Sequence, residues 1–266
     1  MEKHPNRDGC ALVTGGGVRL GAAIVRRLAA DGWAVAIHSR SESAAKLLAV
    51  ELVAQGHKAA AVSGDLGEPD AAEKIFAQVA SQLGVCTFLV NSAAAFAYDD
   101  IATVSAESMD ALYHTNLRAP VLLAHAFARQ LEGRGLIVNL LDQKVFNLNP
   151  DFLSYTIMKS ALEAATQLLA MALAPRIRVC GVAPGLSLRS GAQTEEGFKA
   201  AHARAPLGFG SVPEDIAEAV SFLAKVPSIT GTTIVVDGGQ SLVRRDHDIM
   251  FSYGIAPDAP VGPRKI

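Results

Sequence analysis

Tyr155 and Lys159 stand four residues apart in the stretch SYTIMKSAL. On a helix that spacing puts them on one face, one turn from each other. A free phenol titrates near pH ~10 and donates its proton poorly at neutral pH. A fixed ammonium nearby favours the phenolate and is expected to draw that value down toward the working range. The two together make a general acid. A Tyr-x-x-x-Lys pair alone is an ordinary helix surface, so its weight depends on its surroundings. The element that must carry it is a long helix from about Leu153 into Ala174. Apolar residues recur there at helical spacing (Leu162, Ala165, Leu168, Leu169, Leu173), and Pro175 follows.

A second stretch suits phosphate. TGGGVRLG, Thr14 to Gly21, follows a short apolar run and opens a helical pattern. Glycines there permit a tight turn and close backbone approach to a pyrophosphate, and a helix N-terminus supplies free N–H groups. The next strand then discriminates between cofactors. An NAD site carries an acidic residue near the end of that strand, bonded to the ribose hydroxyls. This chain reads His38-Ser39-Arg40-Ser41 instead. Arg40 is free to pair with a 2′-phosphate, Ser39 and Ser41 to donate to it, and Arg19 adds a second positive charge. The pattern predicts NADP(H).

The elements needed to position these residues alternate regularly. Strands are expected at Cys10–Thr14, Trp33–His38, Lys58–Ser63, Cys86–Asn91, Gly135–Leu141, Ile177–Val182 and Thr232–Val236. Helices are expected at Leu20–Ala30, from Ser41 or Ser43 to about Gln55, at Glu68–Leu83, within Ser105–Leu131 as one helix or two, and over the Tyr155 stretch. Such alternation predicts an α/β fold: a single Rossmann-type doubly wound parallel sheet of about seven strands with helices on both faces. One domain is expected over 1–266, with a C-terminal tail at 243–266. Two segments break the rhythm, Gly185–Pro206 (a short helix is expected near Glu195–Arg204) and the tail, and both read as lids or interfaces.

Composition narrows the function classes. The 266 residues are 50% hydrophobic, enough for one large core, and 24 Lys plus Arg balance 26 Asp plus Glu. That balance gives no electrostatic case for nucleic acid or an anionic membrane. Cys10, Cys86 and Cys180 are spread through apolar stretches and read as buried thiols in a reducing compartment. The seven His show no metal-ligand spacing, and no apolar run reaches membrane length. A cytoplasmic enzyme without metal is expected.

Taken together these motifs resemble the short-chain dehydrogenase/reductase family over nearly the whole chain. Its Thr-Gly-x-x-x-Gly-x-Gly pattern is similar to Thr14 through Gly21, its adenine-side Asp to Asp65, and its Asn-Asn-Ala-Gly stretch to NSAA from Asn91. Its mid-helix Asn matches Asn116 in HTNLRAP, its Tyr and Lys match Tyr155 and Lys159, and its Pro-Gly matches Pro184-Gly185. The resemblance implies catalytic roles for Tyr155, Lys159 and Asn116. It implies cofactor contacts at Gly15, Arg19, Leu20, Gly21, Ser39, Arg40, Ser41, Asp65, Leu66, Asn91, Ser92, Ala93, Tyr155, Lys159, Pro184, Gly185 and Ser187.

The departures are more specific. Arg19 stands where the family has its second glycine, and Asp142 where it has a Ser, thirteen residues before the Tyr. Both changes, with HSRS, LLDQKVFNL and APGLSL, resemble the pteridine reductase branch and its bacterial dihydropterin-reductase relatives. That resemblance implies an Asp142–Tyr155 pair supported by Lys159, with Phe96 stacking on a pterin. The two hydroxyl residues of the branch's loop are Ala94 and Ala95 here. An ionised Asp suits a simple ketone poorly, because it repels the developing alkoxide. It suits an amine-bearing heterocycle, where hydride goes to the carbon of a C=N bond and a proton to the nitrogen. The secondary reading of Asp142 is a structural N-cap or turn carboxylate. Phe146 and Tyr98 are further aromatic candidates.

Two other functions fit these residues: an NADPH-dependent reductase of another carbonyl or imine, and an NADP(H)-binding sensor without turnover. The family resemblance also implies a homotetramer, and the small residues Ala161, Ala164, Ala165 and Ala170 would let helices approach closely.

Overall fold

The computed structural model describes residues 9–190 and 193–252. Its centre is a seven-stranded, all-parallel sheet in the order β3-β2-β1-β4-β5-β6-β7. The strands are β1 (Cys10–Val13), β2 (Ala34–Ser39), β3 (Ala59–Ser63), β4 (Cys86–Asn91), β5 (Gly135–Leu140), β6 (Ile177–Pro184) and β7 (Thr233–Val236). All seven fall where the apolar runs place them. The central strands are buried along their whole length, as strands covered on both faces must be.

Side chains alternate across the pleat and so feed two cores. Ala11, Val13, Val35, Ile37, Phe88 and Val90 face one layer; Cys10, Leu12, Ala36, Leu89 and Ile137 face the other. The first layer is α1 (Arg19–Ala30), α2 (Glu42–Ala54) and a helix at Pro213–Lys225. The second contains α3 (Ala71–Leu83), a helix at Ala119–Gln130 and the long helix at Leu153–Leu173. Ser105–Leu131 holds two helices, α4 (Ala106–Tyr113) and α5 (Ala119–Gln130), joined through a π turn at His114–Arg118. The long helix is α6 (Leu153–Leu173), followed by α7 (Glu195–His202), α8 (Pro213–Lys225) and α9 (Ile249–Ser252).

Helix α8 is absent from the strand–helix alternation read above. Its signal is nonetheless strong: proline in its first turn, Glu214 and Asp215 beside it, Lys225 in the last turn, and Ile216, Ala217, Val220 and Leu223 buried. It packs on α1, and Ser221 and Lys225 bond Asp31 at the end of that helix. Ala170 is buried in the second core, so it is not part of an outward helix face. The three cysteines are free and buried. No described helix is long and apolar enough to cross a membrane. Among the described residues no group of three His, Cys, Asp or Glu is placed to hold a metal ion.

Crossing the middle of the sheet is a thread of buried polar groups. Asn91 Nδ2 donates to Asn139 Oδ1 at 2.8 Å, and Asn139 Nδ2 donates to Thr166 Oγ1 at 2.9 Å. Thr166 in turn donates to the Leu162 carbonyl at 2.8 Å. Asn91 and Asn139 are register partners on β4 and β5, so the thread links two strands to α6.

Candidate active site

The chain reverses its winding between β1 and β4, and the loops leaving those strands part there. A cleft of about 820 Å³ opens at that point, at the carboxyl ends of the strands. Three features build its first half. The glycine loop packs so closely that a Cβ on Gly15 would lie 2.9 Å from Ala93 Cα, and one on Gly21 only 2.1 Å from the Gly15 carbonyl oxygen. Glycine is therefore required at both places, and Gly15 has φ +64°. Arg19 keeps the left-handed backbone (φ 51°) of the glycine it replaces, at a cost of roughly 1–2 kcal/mol. Its Nη2 reaches across to the Arg189 carbonyl at 3.1 Å.

Thr14 Oγ1 accepts from the backbone N–H groups of Ser92 and Ala93, both at 3.0 Å, and so fastens the β4 loop to β1. His38 does the same on the other side: its Nε2 lies 3.0 Å from the Gly64 carbonyl, and the Gly15 N–H points at its Nδ1 at 3.4 Å. With that tautomer Nε2 donates and Nδ1 accepts. Burial pushes the imidazole below its usual value, which keeps it neutral and able to do both. Neither Thr14 nor His38 is among the site residues read from the sequence, although both lie in the quoted motifs. Ser39, Arg40 and Ser41 line the cleft with Asp65 and Leu66, and Arg40 is exposed. Pro184, Gly185 and Ser187 line its far wall, where Gln240 Oε1 accepts from the Leu186 N–H at 2.9 Å.

The second half holds Tyr155, Lys159 and Asp142, the acid–base residues expected from the sequence. Tyr155 and Lys159 lie on the first turns of α6, facing the cleft and buried (6% and 3% exposed). Tyr155 donates from its hydroxyl to Asp142 Oδ2 at 3.1 Å. The other oxygen of Asp142 accepts the Lys144 N–H at 2.9 Å, capping the 3₁₀ turn Gln143–Phe146. Asp142 thus caps the turn with one oxygen and meets Tyr155 with the other. Burial raises the Asp142 carboxyl above its ordinary value.

One expectation is overturned. Lys159 does not lower the Tyr155 pKa: burial and then the Asp142 carboxylate push it well above the ordinary phenol value. Lys159 Nζ donates instead to the Leu140 carbonyl at 2.6 Å and lies 5.7 Å from the Tyr155 ring centre. Burial lowers its own pKa to about 8. A dry site penalises every charged form, and this outweighs an ammonium that is not in contact with the phenol. The Tyr155 hydroxyl is therefore held protonated.

Two of the sequence-derived residues stand behind the cleft and do not line it. Asn91 is buried in the polar thread. Asn116, in the π turn, accepts from the Ala95 N–H at 2.9 Å and donates to the Ala95 carbonyl at 2.8 Å. Both ends of its amide are thus used to hold the loop that carries Phe96. The Phe96 ring lines the cleft, edge-on to Tyr155 at 4.9 Å and stacked on Phe152 at 4.5 Å. Phe146 is exposed outside the cleft, and Tyr98 packs edge-on against Phe152 behind it. The described part of the tail supplies lining residues that no local pattern announced: Asp248, Ile249 and Met250. Residues 253–266 of that tail lie outside the described residues.

The family model described as enoyl-(acyl carrier protein) reductase matches residues 17–241. The short-chain dehydrogenase/reductase eriH of Hericium erinaceus is 36% identical over 245 residues, covering 87% of this chain and 97% of its own. The chain belongs to the short-chain dehydrogenase/reductase family. Among solved structures, FolM alternative dihydrofolate reductase 1 from Brucella canis, complexed with NADP, superposes with a TM-score of 0.87 at 38% identity, covering 92% of this chain and 98% of that one. The promiscuous reductase LugOII, which catalyses keto-reduction at C1 during lugdunomycin biosynthesis, gives 0.82 at 30% identity, covering 90% and 99%. The seven-stranded architecture is the one these short-chain reductases share.

Proposed function

We propose that this enzyme reduces a pterin-like C=N bond with NADPH, Tyr155 being the proton donor. The carrying observation is the 3.1 Å hydrogen bond from the Tyr155 hydroxyl to Asp142 Oδ2. As an oxidoreductase of the short-chain family it uses NADP(H). The residues fit that cofactor: the glycine cradle that no side chain could enter suits a pyrophosphate, and Arg40 with Ser39 and Ser41 suits a 2′-phosphate. Leu20, Asp65, Leu66, Ser92, Ala93, Pro184, Gly185 and Ser187 complete the binding surface. When bound, NADPH supplies the hydride.

The chain's own residues manage the proton. Tyr155 holds it and delivers it to the substrate nitrogen; Asp142 orients the phenol and takes an amine donor of the substrate. Lys159 supports the pair through the cofactor ribose, Asn116 holds the loop, and Phe96 offers a flat ring face. The FolM likeness favours a pterin. The missing hydroxyls at Ala94 and Ala95, and the likeness to a ketoreductase, favour the second reading, another carbonyl or imine. An NADP(H) sensor without turnover would have no use for the Tyr155–Asp142 contact. The exposed apolar strip Ile157, Leu168 and Met171 on α6 supports a homotetramer, and three buried free thiols support the cytoplasm.

The test is NADPH oxidation with 7,8-dihydropterins and a simple diketone as control. Turnover of the pterin alone supports the Asp142–Tyr155 mechanism. Turnover of the diketone alone keeps the reductase and removes the pterin.

A further inference from the structure

The tail returns to the active site and is held there by groups too buried to be incidental. Lys144, 3% exposed, donates from Nζ to Asp248 Oδ2 at 2.9 Å and to Asn149 Oδ1 at 2.5 Å, and lies 5.4 Å from the centre of the Phe152 ring. Asp151, fully buried, accepts the Asp248 N–H at 2.6 Å, and His247 Nδ1 lies 3.5 Å from the same oxygen. Asp248 Oδ1 accepts the Met250 N–H at 3.0 Å, which starts the turn of α9. The Phe251 ring then stacks on Phe152 at 5.8 Å and meets Tyr98 edge-on at 5.3 Å. Phe152 is the residue that stacks on Phe96, and Phe96 touches Tyr155. Rings therefore run without a break from the tail to the proton donor.

What this docking presents to the cleft is Asp248, Ile249 and Met250, with Met250 packed in one apolar cluster with Tyr155, Phe152 and Met158. A buried ion pair contributes little net stability but is costly to break from one side. Such a pair serves to fix one arrangement, here the arrangement of a cleft wall.

We propose that Asp248 is a positioning residue for substrate selection: with Lys144 and Asp151 it fixes the tail so that Ile249 and Met250 form the wall of the substrate subsite beside Tyr155 and limit the size of the ring it takes. The inference needs the cleft to be a reductase's, which the family establishes; it does not need the substrate to be a pterin.

The experiment uses the full chain with Asp248→Asn, Asp248→Glu and Met250→Ala. It assays whichever of the 7,8-dihydropterin or the diketone is turned over, together with a ring-substituted, bulkier analogue of it. Asp248→Asn should raise KM about tenfold or more, lower kcat far less, and leave the Kd for NADPH within twofold. Asp248→Glu should restore part of the loss. The Asp248 carboxylate also opposes ionisation of Asp142 and Tyr155, so Asp248→Asn should move the acid limb of the pH–rate profile to lower pH, which loosened packing alone would not do. Met250→Ala keeps the latch and should raise the relative kcat/KM for the bulkier analogue at least tenfold. Unchanged KM and unchanged size preference in both Asp248→Asn and Met250→Ala would overturn the proposal. A readout without turnover is the methyl signal of Met250 in protein labelled at its five methionines. It should be shifted by the neighbouring rings in the native chain and move to the solvent-exposed position in Asp248→Asn. A native signal already at that position would overturn the inference too.

Discussion

The two halves of the cleft are built in opposite ways. The cofactor half is built largely on backbone: a glycine loop and the ends of β1 and β2, fastened by Thr14 and His38 to the loops after β4 and β3. Its far wall comes from the end of β6, and Thr14 ties the glycine loop to Ala93 across 79 residues. The substrate half is assembled from the β4 loop, the β5–α6 connection, α6 and the tail, and the Lys144–Asp248 contact spans 104 residues. The first half makes a tightly packed surface, in which the proposed pyrophosphate cradle leaves no room for a side chain at Gly15 or Gly21. The second is made of side chains on separate segments, joined by the Lys144–Asp248 contact and the rings from Phe251 to Tyr155. A family can hold its cofactor constant and vary its substrate on such a plan.

The sharpest way to test this division is Tyr155→Phe. It should lower kcat/KM by about 10²–10⁴, the usual worth of a positioned proton donor, while the Kd for NADPH from fluorescence titration stays within about threefold. A comparable loss of NADPH binding would mean the halves are not separable. Arg40→Ala should act in the reverse sense. Losing a charge-assisted contact to the 2′-phosphate should weaken NADPH by about 10–100-fold and leave NADH almost unaffected, raising the relative use of NADH. Equal loss for both cofactors would remove the 2′-phosphate role.

The pH profile joins the halves. Lys159 has a pKa lowered to about 8 by burial, so its ammonium is lost as pH rises through that value. In kcat/KM, which reports the free enzyme, the rate should fall about tenfold per unit above pH ~8, and Lys159→Met should remove that limb. For folding the sign is opposite. The unfolded chain keeps this proton up to pH ~10.4, so between about 8 and 10.4 it binds more protons than the native state, and the Lys159 contribution to stability rises with pH. The smallest effect belongs to Asn116→Ala. It should destabilise the chain by about 1–3 kcal/mol in denaturant melts, since the Ala95 N–H and carbonyl lose their partners. It should also raise KM for the substrate more than for NADPH, because the loop it holds carries Phe96.

The same contrast explains what the sequence disclosed. The strands, the glycine loop, the HSRS turn and the Tyr155–Lys159 face are local patterns, and a period or a spacing reveals each. Helix α8 carries such a pattern too, in Pro213, Glu214 and the buried Ile216, Ala217, Val220 and Leu223, and is legible by the same rule. Asp248, Ile249 and Met250 are different: nothing in RRDHDIM indicates that it meets Lys144, which only the three-dimensional path of the tail decides. The direction of the Tyr155 pKa was likewise out of reach. It depends on burial, and on Lys159 bonding Leu140 rather than the phenol.

The polar thread through the sheet has a further consequence. Thr166 hydrogen-bonds the side of α6 to the middle of the sheet by way of Asn139, while Lys159 bonds the end of β5 at Leu140. Thr166 lies eleven residues beyond Tyr155, roughly 16 Å along the axis at 1.5 Å per residue. The helix is thus indexed like a graduated rod held at two marks, Lys159 and Thr166. A single residue inserted between Lys159 and Thr166 would, with Thr166 in place, swing the Tyr155–Lys159 face by about 100°, with a step of about 1.5 Å, and break the Lys159–Leu140 bond. The length of that stretch is therefore fixed as strictly as the identity of the tyrosine.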